Sequence, residues 1–80
     1  MYYVYLIESQ EHLGTRYVGL TTDLRQRLSD QNAGKSRHTS KFRPWGLVAY
    51  IAFSDRLKAL SFERYLKSGS GHAFAKRRLW

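Results

Sequence analysis

Apolar positions alternate along two stretches near the start of the chain and one past its middle. In Tyr2-Tyr3-Val4-Tyr5-Leu6-Ile7, the side chains of Tyr3, Tyr5 and Ile7 share one face and those of Tyr2, Val4 and Leu6 the other. Aromatic and β-branched residues favour a strand, and apolar side chains on both faces predict a central, covered one. Ser9–Thr15 reads as a polar loop with Gly14 near its end. Arg16–Leu20 reads as a second strand closing a hairpin, with Tyr17 and Gly19 on one face and Val18 and Leu20 on the other. Thr21-Thr22-Asp23 then predicts a helix start, with a threonine as N-cap and Asp23 in the first turn, at the positive end of the dipole. Leu24 and Leu28 mark the inward side of this helix. Arg27 and Gln31 fall beside that stripe, whereas Arg25 and Gln26 point away. Gly34 supplies the left-handed residue that ends the helix.

Lys35–Arg43 reads as a basic loop, closed by Pro44-Trp45-Gly46. Leu47–Phe53, apolar on both faces, predicts the third strand. Ser54-Asp55 caps a second helix from Arg56 to about Lys67; Ser68–Gly71 breaks it, and a last helix runs from His72 to about Leu79. The order β-β-α-β-α-α predicts one α+β domain over residues 1–80, a three-stranded, mostly antiparallel sheet flanked by helices.

Charge sharpens this picture. Fourteen Lys and Arg against six Asp and Glu give a formal charge of +8. Such an excess in a small domain favours a polyanion, nucleic acid ahead of a membrane, over a merely soluble basic protein. The absence of cysteine excludes disulfides and Cys-type zinc sites and is compatible with the reducing cytoplasm, where the chain is expected. The longest apolar run, Leu47–Phe53, is far too short for a membrane-spanning helix, and Met1 leads straight into a strand without a basic leader.

The carboxylates can be taken one by one. Glu8 and Glu11 read as solvated residues of the hairpin loop, Asp23 and Asp55 are explained by helix starts, and Asp30 lies on the outer side of the first helix. Glu63 differs, because it interrupts the apolar side of the second helix formed by Ala59, Phe62 and Leu66. A carboxylate there must be paired, hydrogen-bonded or bound to a metal. An ion pair with Lys67 or Arg64 satisfies it; so does a single Mg²⁺ that keeps most of its waters. No cluster of acids offers a two-metal site, the three histidines lack ligand spacing, and no nucleophile elbow or phosphate-cradling glycine loop is present. Lys67-Ser68-Gly69-Ser70-Gly71 reads either as an anion nest or as a plain turn. Lys35, Arg37, His38, Lys41, Arg43, Lys67, Lys76 and Arg77 read as contacts to phosphates that position a strand without reading its sequence.

Tyr3-Val4-Tyr5 followed by Tyr17-Val18-Gly19, then Arg27 and Glu63, resembles the GIY-YIG nuclease family, and most closely its small standalone bacterial members. The resemblance implies a DNA endonuclease with little sequence specificity, of the kind used in DNA repair or recombination. It implies Tyr17 as the general base or the group orienting the attacking water, and Tyr5 as its support. Arg27 would stabilise the phosphate's developing charge, and Glu63 would be the ligand of a single divalent ion, Mg²⁺ or Mn²⁺. Gly19 would leave space for the substrate to approach the backbone. A phenol, with an intrinsic pKa near 10, needs neighbouring cations to serve as a base at neutral pH. The chain departs from the family at Gln31, where many small relatives carry a histidine or another proton-handling residue, and it offers no counterpart of the asparagine that longer members place after the Glu helix.

The leading expectation is thus a monomeric metal-dependent endonuclease acting on DNA ahead of RNA, with a protein partner for targeting. A non-catalytic nucleic-acid-binding module on the same scaffold is the alternative, and a protein-interaction domain the third.

Overall fold

The computed structural model describes residues 1–80. Strands β1 (Tyr2–Ser9), β2 (Arg16–Thr21) and β3 (Trp45–Phe53) form one antiparallel sheet in the order β2-β1-β3. The helices are α1 (Leu24–Asn32), α2 (Arg37–Ser40), α3 (Arg56–Leu66) and α4 (Gly69–Arg78). β1 is central, as its two apolar faces require, and each face seeds its own core. Val4 and Leu6 meet Ala59 and Leu66 of α3 and Ala75 of α4; Tyr5 and Ile7 meet Trp45, with Leu24 and Leu28 of α1 packed against them.

Register differs from simple alternation at one place. β1 pairs Leu6 with Ala49 but Ile7 with Leu47, so Val48 is an extra residue on β3. A bulge moves every following side chain to the other face. Leu47 and Trp45 therefore join Tyr50 on the α1 side, which seats the Trp45 indole in that core.

Three local features differ from the sequence-based expectation. Asp23, not a threonine, is the N-cap of α1: its Oδ1 accepts the Gln26 amide at 3.0 Å, while Thr21 Oγ1 accepts the Asp23 amide at 3.1 Å. Carboxylates are at least as good as threonine in this role. The basic loop contains the single turn α2, whose Thr39 carbonyl accepts the Trp45 indole N–H at 2.9 Å. Finally, Ser68–Gly71 starts a helix as well as ending one. Ser68 Oγ accepts the Gly71 amide at 3.2 Å, so α4 begins at Gly69, before His72. A Cβ at residue 71 would strike the Tyr65 carbonyl, so glycine here lets α4 approach α3 closely.

Candidate active site

The hairpin register places Gly19 of β2 directly opposite Tyr5 of β1. The Tyr5 ring lies over Gly19, where an added Cβ would come within 2.7 Å of Tyr5 Cε1. The space above Gly19 is therefore filled by the protein's own phenol. Two residues back on the same face, the Tyr17 ring stands 6.2 Å from the Tyr5 ring and 6.4 Å from Trp45.

From α1, Arg27 reaches this pair. Its Nη1 donates to Tyr5 Oη at 3.4 Å and to the Leu20 carbonyl at 3.3 Å. Burial pushes the Tyr5 phenol above its ordinary pKa, outweighing the hydrogen bond and charge of Arg27; Tyr17 pushes it further up and Gln31 opposes. Tyr5 is thus a neutral phenol that accepts from arginine. Gln31, one turn beyond Arg27, is only 4 % exposed, and its Oε1 has no hydrogen-bond partner. Tyr17, Arg27, Asp30, Gln31, Lys35 and Ser36 together line a cleft on the α1 side of β2. Asp30 stands on its rim, where hydrogen bonds from Gln26 and Lys35 hold its carboxyl below the usual range.

Glu63 comes from α3, with its side chain 14 % exposed and paired to Lys67 Nζ at 2.5 Å. Lys67 Nζ in turn lies 6.0 Å from the centre of the Tyr17 ring. The ion pair anticipated for Glu63 is therefore present, and Lys67 links it to Tyr17. No group of three or more His, Asp or Glu side chains converges at Glu63 or anywhere else in the chain.

The cations anticipated as phosphate contacts divide into groups. Lys35 is paired with Asp30 at 3.2 Å on the cleft rim, and Lys76 lines a second cleft with Tyr17 and Lys67. Arg37 and His38 are exposed on α2, Lys41 lies over the Phe42 ring, and the Arg43 guanidinium covers Gly34. Arg77 lies beside Phe74, on a different side of α4 from Lys76.

Two features were not anticipated from the sequence. Asn32 clamps β3 to α1, its Oδ1 accepting the Trp45 amide at 2.6 Å and its Nδ2 donating to the Trp45 carbonyl at 3.1 Å. The second cleft brings Arg16, His72 and Trp80 beside Tyr17. The four-residue spacing of His72, Lys76 and Trp80 was its one sequence signal.

Comparison with known proteins gives the family and supports the fold. The sequence profile of the GIY-YIG catalytic domain matches residues 1–77. UPF0213 proteins of Streptococcus pyogenes serotypes M5 and M3 are each 38% identical to the chain over 66 residues, covering 81% of it and 70% of the relative. The solution NMR structure of a UPF0213 protein from Bacillus halodurans is similar at a TM-score of 0.57 and 30% identity, over 98% of this chain and 86% of that one.

Proposed function

The chain belongs to the GIY-YIG catalytic domain family, and from that premise we propose that it is a metal-dependent endonuclease hydrolysing phosphodiester bonds in DNA with little sequence preference. The observation carrying this reading is the Arg27 guanidinium, fixed between Tyr5 and the Leu20 carbonyl in a cleft that Tyr17 also lines. Both bonds leave from Nη1, so Nε and Nη2 remain for a phosphate, whose oxygens suit the guanidinium fork. A pre-positioned cation there stabilises the negative charge that builds as phosphorus gains a fifth oxygen.

Tyr17 is the base or the group orienting the attacking water. It stands on the cleft wall, whereas Tyr5 is buried and neutral and serves to hold Arg27. With Tyr17 acting as phenolate, the water oxygen bonds to phosphorus, its proton passes to Tyr17 Oη, and the bond from phosphorus to the leaving oxygen breaks, that oxygen taking a proton from solvent. Glu63 is the residue that would hold a divalent ion: its carboxylate already neutralises one cation, Lys67, and a lone carboxylate suits Mg²⁺ or Mn²⁺ with water in the remaining positions. When bound, such an ion supplies Lewis-acid stabilisation of the leaving oxygen. A catalytically weak or inactive nucleic-acid-binding module is the second reading, and the same Lys67–Glu63 pair favours it by occupying the carboxylate.

Plasmid nicking with Mg²⁺ or Mn²⁺ tests the proposal. Wild type is expected to nick, with Tyr17→Phe and Glu63→Gln slower by about a hundredfold or more while all three keep salt-sensitive DNA binding. Equal nicking by all three sinks the assignment. Binding without nicking by wild type selects the module.

A further inference from the structure

Tyr17 stands between two clefts. Beyond it, away from Arg27, lies a cleft of about 280 Å³ lined by Arg16, Tyr17, Lys67, His72, Lys76 and Trp80, over an apolar floor that includes Leu66. No acidic side chain lines it. Its walls come from β2 on one side and from the end of α3, α4 and Trp80 on the other. The Arg16 guanidinium carbon lies 4.9 Å from the centre of the Trp80 indole, and Glu8 holds the same guanidinium at 3.4 Å. The Trp80 amide donates to the Ala75 carbonyl at 2.9 Å, which anchors the indole's backbone to α4.

Cations beside half-buried aromatic planes, as Tyr17 and Trp80 present here, are what a single nucleic-acid strand uses: the cations take its phosphates, and aromatic or guanidinium planes stack its bases. We propose that this cleft takes an unpaired nucleobase next to the phosphate held at Tyr17 and Arg27, so that the preferred substrate is single-stranded at the cleavage position. A paired base would first have to leave its stack and its pairing partner, which opposes binding. Uninterrupted duplex is therefore the poorer ligand, and single strands or branch points the better ones. The inference rests on the nucleic-acid reading of the same site but not on turnover.

The test is a binding experiment without divalent ions on the whole chain, using a single-stranded oligothymidylate, a duplex of equal length and inorganic polyphosphate. The single strand is expected to bind more tightly than the duplex and to quench Trp80 fluorescence, whereas polyphosphate binds without quenching. Trp80→Ala is expected to weaken single-strand binding by between about 5- and 150-fold, the worth of one stacked base, and to leave polyphosphate binding unchanged. Trp80→Phe is expected to restore most of the affinity while abolishing the quench, leaving only buried Trp45 to emit; it decides the matter if the alanine variant fails to fold. Oligothymidylate binding without a quench, or equal weakening of both probes by Trp80→Ala, overturns the stacking cleft alone. Binding of neither probe overturns the nucleic-acid reading as well.

Discussion

The Tyr5 ring occupies the volume that any side chain at residue 19 would need. Glycine at this position is thus a packing requirement set by the neighbouring strand, and it lets a large phenol lie over β2 and meet Arg27. Tyr5 cannot swing aside, being only 1 % exposed and held by arginine. Gly19→Ala is accordingly expected to destabilise the fold by about 1–3 kcal/mol, the range for overpacking a core. In a Tyr5→Leu background the same substitution should cost much less, because the ring that it strikes is gone. A double-mutant cycle by urea denaturation measures this coupling; additive costs would mean that the two residues do not compete for the same space.

Tyr5 also predicts a pH dependence. Burial raises its pKa above the ordinary phenol value of 10.0 against the opposing effect of Arg27. With the folded-state value raised, the unfolded chain releases this proton first. The contribution is complete below about pH 10 and is lost as pH rises from there through the folded-state pKa. Denaturation curves between pH 8 and 11 should therefore fall more steeply for wild type than for Tyr5→Phe. Parallel curves would show that Tyr5 ionises equally well in both states.

Much of this arrangement was legible in the chain. Only a central strand can bury both faces of Tyr2–Ile7, which sets the order of the sheet, and the spacing of Leu24, Arg27, Leu28 and Gln31 puts arginine beside the buried stripe of α1. Other features depend on events that periodicity does not record. The extra residue Val48 turns Trp45 and Leu47 toward α1, against strict alternation. Gln31 reads as a flanking position but is buried, and α2, hidden in what reads as a basic loop, packs on the same helix. Arg16 and Trp80 meet only after α4 has folded back past β2, so neither marks a cleft in the sequence.

Glu63 and Lys67 predict a competition. An ammonium bound to the carboxylate must yield before a divalent ion can take its place. Lys67→Met is expected to tighten divalent-ion binding several-fold in the absence of DNA, and Glu63→Gln to abolish it. Calorimetric titration with Mn²⁺ reads both effects directly. Unchanged affinity in the Lys67 variant would place the ion on some other group.

Gln31 separates stability from chemistry. Its Oε1 is buried without a partner, an arrangement that costs about 1–3 kcal/mol for a polar atom. Gln31→Leu, similar in length and apolar, is therefore expected to leave the fold as stable or to raise its melting temperature. An amide does not titrate near neutrality, whereas an imidazole in the same place does, with an unperturbed pKa near 6.5. Nicking by Gln31→His should thus acquire an inflection, moved below about pH 6.5 by burial and by the neighbouring Arg27 cation, that wild type and Gln31→Leu lack. Rate profiles over pH 5.5–8.5 for the three proteins test this. Identical profiles would remove residue 31 from proton handling, and a less stable leucine variant would mean that the hydrogen bond from the Gln31 amide to the Tyr5 phenol outweighs the unpartnered Oε1.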